Sequence, residues 1–567
     1  MTDEDKDEQF YRDTESTAFP KLDDRQLALL EPLGKRRTLR GGEFVFKAGQ
    51  RDLGLTVILR GEIEVFEAHE GTEQILATGG ARDFIGDVAM LQGTSALASA
   101  RVKSEESEIL EVPAVEIRRA LADLPGVGEP IVNALIMRRR RLRRDREFAG
   151  LRVIAARDTR EGHQLDDFLD KNRIPHRLIE FESEQGQALG KRLHLTTRDL
   201  PALITATGAP LRRPSLREVA QVAGLLRPLV LQEGESEILC DLTIVGAGPA
   251  GLAAAVYAAS EGLKTVVLES YAPGGQAGSS SLIENFFGFP TGISGGDLTY
   301  RAQLQAYRFG AKFSTPAQAL SLDYQDDEEY RASLQIEGCP ATLRAKCVLI
   351  ATGADYRRLQ AENREQFEGS GVYYAATALE GQLCRGATVI VAGGGNSAGQ
   401  AAMFLSEGAA KVLLVIRGDD LSKSMSSYLS RRVEARENIE LLCHTEIRKM
   451  TGGKMLEAVE LENTDTHERR IVNTPAIFSM IGANPCTNWL PSQIERDEKG
   501  FIKTGPAVAH ALAWKRSARP PGPLETSLPG IFAAGDVRSG SVKRCAAAVG
   551  EGGMAIAGVH DALGTFA

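Results

Sequence analysis

The sequence predicts a multidomain chain: a β-rich N-terminal segment with helices, a small α/β unit, and two larger α/β units of the dinucleotide-binding kind. Three observations lead there. At 567 residues the chain exceeds what one hydrophobic core organises. Short alternating strands broken by glycine crowd its N-terminal part. Two glycine-rich turns, each between a buried apolar strand and a helix, follow in the remainder.

Composition sets outer bounds. With 43% hydrophobic and 25% charged residues the chain reads as globular. Its net charge of −9 and pI near 5.6 imply no general attraction to nucleic acid or anionic membrane. No apolar run approaches the ~20 residues of a membrane span. The opening MTDEDKDEQFYRDTEST lacks a signal-peptide apolar core, so residues 1–19 are expected to be a disordered tail and the protein cytoplasmic. The seven cysteines (240, 339, 347, 384, 443, 486 and 545) never fall within three positions of one another. That scatter fits reduced thiols, and neither cysteine nor histidine shows metal-ligand spacing, so no metal is expected.

From the N-terminus, Glu43–Phe46, Thr56–Arg60 and Ile63–Phe66 alternate as strands, with Gly61 at a turn. A helical stretch then ends in the basic run Arg138–Arg144, expected to be a solvated face between domains and not a nucleic-acid contact. Gly42-Glu43, Gly49, Leu59-Arg60-Gly61 and Phe84–Leu91 together resemble the cyclic-nucleotide-binding domain, a β-jelly roll capped by helices. That resemblance puts Asp87 where a glutamate takes a ribose hydroxyl. Where a phosphate-binding arginine follows, Thr94–Ser99 carries no positive charge. An anion in a dry pocket needs a guanidinium or dense N–H donors, so a cyclic nucleotide is not the expected ligand.

Next, Leu151–Ala155 reads as a strand, Leu165, Phe168 and Leu169 as a helix face, His176–Phe181 as a second strand, and Leu200–Ile204 as an extended segment. A helix closes the unit from Ser215. This order resembles the thioredoxin/glutaredoxin fold. Where active members place a cysteine pair, the sequence reads Arg157-Asp158-Thr159-Arg160, so a docking or spacing module is implied.

The specific signals come last. Asp241–Val245 runs into Gly246-Ala247-Gly248-Pro249-Ala250-Gly251, then a helix, then the strand Thr265–Leu268 ending on Glu269. Such glycines allow a tight turn and close approach of backbone to a pyrophosphate, and the acid suits a ribose hydroxyl. The pattern recurs from Ala387–Val391 into Gly393-Gly394-Gly395-Asn396-Ser397-Ala398, but Arg417 follows the second strand there, Val412–Ile416. An acid repels a 2′-phosphate and an arginine pairs with it, which points to FAD in the first site and NADPH, more than NADH, in the second.

Further matches are Gly274-Gly275-Gln276, Ile283-Glu284-Asn285, Ala351-Thr352-Gly353-Ala354, Gly371–Tyr374, Ile481-Gly482, Ile531–Val537 and Lys543-Arg544. With the two turns, they make residues 240–567 resemble low-molecular-weight thioredoxin reductase. The resemblance implies two α/β three-layer dinucleotide-binding domains and an FAD domain in two pieces, 240–358 and 481–567. The NADPH domain (359–480) is inserted between them. Upstream lie the jelly-roll-like domain (20–149), the thioredoxin-like domain (150–230) and a linker (231–239). Gly275, Gln276, Asn285, Thr352, Gly353, Gly535, Asp536, Arg544, Cys545 and Ala546 are implied at FAD, and a homodimer is implied too. In the family the tyrosine matching Tyr374 precedes Cys-Ala-Thr-Cys; here Ala375-Ala376-Thr377-Ala378 follows it. Without a thiol no mixed disulfide forms. The expected function is hydride uptake from NADPH, with electrons passed to an acceptor such as a quinone, oxygen or a protein redox centre. Two alternatives stay open: a redox- or nucleotide-responsive sensor or scaffold, and a disulfide reductase using Cys384 or Cys545.

Overall fold

The computed structural model describes residues 3–566, except 52, 70–71, 93–94, 97, 146–149, 158, 205–208, 227–236, 281–282, 284–285, 327–328, 340, 369, 375, 377–380, 382–383, 454 and 518. Helix α1 (Asp3–Ala18) comes first. Two four-stranded antiparallel sheets follow, in the orders 35–40/106–112/55–60/84–85 and 44–46/99–102/63–69/72–79. Leu39, Ile58, Ile63, Ile85, Ala100, Val102 and Ile109 fill the space between them, as inward positions of alternating strands do. Short helix α2 (Ala89–Gln92) follows strand 84–85, and long helix α3 (Pro125–Arg144) closes the unit.

The expected disorder of residues 1–19 is corrected over Asp3–Ala18 by α1. Tyr11 and Phe19 face the Arg141 guanidinium at 5.0 and 5.2 Å, and Arg144 sits 4.4 Å over Phe10. Arg141 pairs with Glu15 and Arg144 with Asp7. An acidic, aromatic helix is ordered by a basic one. The same contacts correct the reading of Arg138–Arg144 as a solvated face, for Arg138 donates to the carbonyls of Ala18 and Phe84.

In the second unit, strand Leu151–Ala155 lies parallel to His176–Glu180 and antiparallel to Ala202–Ile204, with Pro210–Arg212 at the edge. Helices α4 (Arg160–Lys171) and α5 (Leu216–Val222) cover this sheet through Leu165, Phe168, Leu169, Val219 and Ala220. The Ser215 hydroxyl caps α5, with Glu218 completing a capping box.

The third unit is built on the parallel run 312–314/265–268/237–245/342–350, which strand Ile531–Ala533 joins from near the C-terminus. Strand Glu237–Val245 begins inside the expected linker 231–239, because Glu237–Cys240 pair with Thr342–Ala345. Helices α6 (Pro249–Ser260), α7 (Gly275–Gly278), α8 (Gly295–Arg308) and, at the end, α11 (Cys545–Phe566) belong to this unit. Between its two pieces stands a five-stranded parallel sheet, 372–373/477–479/388–392/411–415/439–442, with helices α9 (Asn396–Leu405) and α10 (Ser427–Glu434). The chain enters and leaves that insertion through one antiparallel pair, Ala354–Tyr356 with Ala483–Pro485. Among the described residues no single helix is long and apolar enough to cross a membrane.

Candidate functional site: two glycine-turn cradles

In the first cradle, Gly246 adopts φ +103°, open to glycine alone, and a Cβ there would collide with the Ala351 carbonyl. A Cβ on Gly251 would collide with the carbonyl of Gly246, so the turn and α6 pack backbone to backbone. Pro249 occupies the first turn of α6, where its missing N–H costs nothing, and Ala250 is buried behind it. The positive end of α6 is thereby aimed at the turn. Opposite Gly248 lies Gly275, whose Cβ would stand 3.0 Å from the Gly248 Cα. The Gly274 N–H donates to the Ala247 carbonyl at 2.8 Å, which ties the two walls together.

Glu269 closes one end. Its carboxylate accepts the N–H groups of Ala247 and Tyr271 at 2.8 and 2.9 Å, while burial pushes its pKa up. Gln276 donates to the Ala354 carbonyl, and the Thr352 hydroxyl donates to the Cys486 carbonyl at 2.9 Å. Gly353, at φ +66°, has nothing within 4 Å of its Cβ position. Beside the first turn of α6, Gly535, whose Cβ position lies 3.0 Å from Ala250, donates its N–H to Glu551 at 2.7 Å, and burial pushes the neighbouring Asp536 carboxyl up against the opposing effect of Lys543. Arg544 and Ala546 are exposed around the start of α11. Asn285 lies outside the described residues. Glu551 and Cys486 are site-framing residues that sequence reasoning missed. Neither belongs to a motif; each arrives by tertiary contact.

The second cradle repeats the first. Gly393 adopts φ +135° against the Met480 carbonyl, Gly394 approaches the Ser424 hydroxyl, and Gly395 precedes α9. Asn396 begins α9 and accepts the Ser426 N–H at 2.8 Å; Ser397 is exposed and Ala398 fully buried. Arg417 is exposed just past strand 411–415 and has no ion-pair partner among the described residues. The Ala-Ala-Thr-Ala stretch lies outside the described residues except for Ala376, which is buried.

The two thiol candidates differ. Cys384 is 1% exposed. Cys545 starts α11, and burial together with Asp536 pushes its thiol up to about 11. None of the seven cysteines forms a disulfide.

Two glycine-turn cradles on parallel sheets, one unit inserted into the other, define a two-nucleotide flavoprotein oxidoreductase. The pyridine nucleotide-disulphide oxidoreductase family matches residues 240–552, and the chain belongs to it. The cyclic nucleotide-binding domain family matches residues 36–123. Thioredoxin reductase of Listeria innocua is 32% identical over 56% of this chain and 92% of its own length. The 34.2 kDa protein in the rubredoxin operon of Clostridium pasteurianum is 33% identical over 56% of this chain and 94% of its own. Among solved structures, T. acidophilum thioredoxin reductase matches with TM-score 0.50 and 28% identity, over 58% of this chain and 99% of that one. The Lactococcus lactis enzyme in its FR conformation matches with TM-score 0.51 and 27% identity, over 57% and 99%. The protein is an FAD-dependent NAD(P)H oxidoreductase of the thioredoxin-reductase type. Gly246, Gly248 and Gly275 bring bare backbone together at the N-terminus of α6, with Glu269 buried beside the turn, and such a glycine-lined helix start fits the pyrophosphate of a dinucleotide such as FAD.

Proposed function

We propose that the chain oxidises NADPH and passes two electrons to an acceptor without a Cys-x-x-Cys dithiol: NADPH + H⁺ + acceptor gives NADP⁺ and the reduced acceptor. The observation that carries this is the pairing of two built nucleotide cradles with Ala375-Ala376-Thr377-Ala378 after Tyr374. FAD, when bound, supplies a ring that takes up hydride and releases electrons singly or in pairs. Gly246, Gly248, Gly275 and the N-terminus of α6 hold its pyrophosphate, Glu269 a ribose, and Gly535-Asp536 the ribityl chain and phosphates. Gly393–Asn396 hold the nicotinamide dinucleotide, and Arg417 takes the 2′-phosphate that separates NADPH from NADH. A quinone, oxygen or a protein redox centre fits as acceptor, and the working unit is a cytoplasmic homodimer. A disulfide reductase using Cys384 or Cys545 is disfavoured by the burial of one and the raised thiol of the other.

The second unit is thioredoxin/glutaredoxin-like without cysteines. Its strand order supports that reading, as does Pro201 directly before strand Ala202–Ile204. It serves to dock: the Tyr271 hydroxyl donates to Asp167 at 2.8 Å and Arg217 to the Gly338 carbonyl at 3.0 Å. The jelly roll binds no cyclic nucleotide. Arg139 already engages Asp87, and Gly224 of the second unit lies against Ser95 in the phosphate segment. These two blocked positions also favour the second reading, a sensor or scaffold.

Anaerobic stopped-flow on the flavin-loaded protein decides between them. Fast bleaching of the flavin, faster with NADPH than NADH, supports the oxidoreductase; no bleaching with either leaves the sensor.

A further inference from the structure

The arginine run at the end of α3 reaches four parts of the chain at once. Arg138 bonds to the Ala18 and Phe84 carbonyls, Arg141 and Arg144 pair with α1, and Arg143 pairs with Asp170 of α4. Arg140 donates to Asp297 on α8 at 2.5 Å. Arg139, 5% exposed, lays its fork on Asp87 with Nη2 at 2.8 and 2.9 Å from the two oxygens. A ribose-type carboxylate has become an internal anchor.

That anchor connects to the flavin cradle through packed elements. Asp87 opens the turn into α2, accepting the Met90 N–H at its carbonyl. Val88, Ala89 and Met90 are fully buried in one core with Tyr300, Leu304 and Tyr307 of α8. Helix α8 in turn touches α7 so closely that a Cβ on Gly295 would overlap the Ala277 carbonyl. The Thr299 hydroxyl lies 2.9 Å from the Cβ position of Gly274. Gly274 and Gly275 are the wall that faces Ala247 and Gly248. Close-packed elements of this kind shift as units and do not deform smoothly.

We propose that Arg139 and Asp87 are positioning residues for the FAD site: their ion pair anchors the start of α2 to α3, α2 so held packs on α8, and α8 holds Gly274–Gln276 against the cofactor. The jelly roll is then a brace for the flavin. This rests on the FAD assignment, so wild-type protein must first retain flavin and bleach with NADPH; failure there removes the assignment itself.

The test uses the full chain as Arg139→Gln, Asp87→Asn and the double variant. Visible circular dichroism and midpoint potential of the bound flavin are read, with the rate of flavin release and a thermal scan. Each single variant is expected to alter the flavin dichroism and speed release about tenfold, the double variant no more than either single, as coupled partners require. Additive effects, or folded single variants with unchanged dichroism, potential and release, overturn the proposal. If neither single variant folds, Arg140→Gln, in the partly exposed pair with Asp297, takes their place. It should speed release about threefold, and unchanged release overturns the proposal.

Discussion

A methyl group on Gly251 has nowhere to go, because the Gly246 carbonyl already fills the space. Overpacking of this kind costs about 1–3 kcal/mol, and here it pushes α6 off the cradle. Gly251→Ala is therefore expected to purify with little flavin, checked by visible absorbance per protein. Arg417 tests the other cradle. Hydrogen bonds to a charged group are worth ~1.5–3 kcal/mol, so Arg417→Ala should lower kcat/KM for NADPH about 10- to 100-fold. The value for NADH should barely change; an equal loss for both removes the phosphate role. For Cys545, the thiolate is the nucleophile, and burial raises its pKa to about 11. Alkylation should be slow at neutral pH and speed roughly tenfold per pH unit until it levels near 11, followed by mass spectrometry. The glycines and Glu269 are legible in the sequence because turn geometry fixes their spacing. Glu551 and Cys486 are not, since nothing local marks a residue that reaches its neighbours only after the sheet closes.

Among elements, those with their own signal are found where the sequence places them. Strand Leu151–Ala155 is an apolar run, and α5 begins at a capping box from Ser215 to Glu218. Strand Glu237–Val245 starts earlier than its apolar run because its polar first residues are held by register with Thr342–Ala345. Helix α1 has no apolar stripe to announce it; its order comes from guanidinium groups on α3, over a hundred residues away. Arg138–Arg144 looks like a solvated face for the same reason: its acidic and carbonyl partners are scattered over four distant segments. Deleting residues 1–19 should lower the first calorimetric transition by about 2–4 °C, since each arginine–aromatic pairing it removes is worth ~0.5–2 kcal/mol. An unchanged transition would show that α1 contributes nothing.

For the whole molecule, the resemblance of Ile531–Val537 implies that a late strand returns to the first cradle's sheet, and strand Ile531–Ala533 does pair there with Val348–Ile350. How the units touch is not legible, because interdomain contacts such as Arg140–Asp297 and Tyr271–Asp167 join residues with no shared motif. The insertion hangs on one antiparallel pair, Ala354–Tyr356 with Ala483–Pro485, the two-strand link about which a rotation of the insertion would turn. The late strand also imposes an order in time. Ile531–Ala533 completes a sheet begun at Glu237, and α11 packs on α6 only after that. On a ribosome adding about 5–20 residues per second, the first cradle strand waits roughly 15–60 s for its last partner. Both N-terminal units and the insertion can finish folding during that wait. Capture of the cofactor thus waits for Ile531–Ala533, and a chain stopped short of Ile531 should emerge colourless.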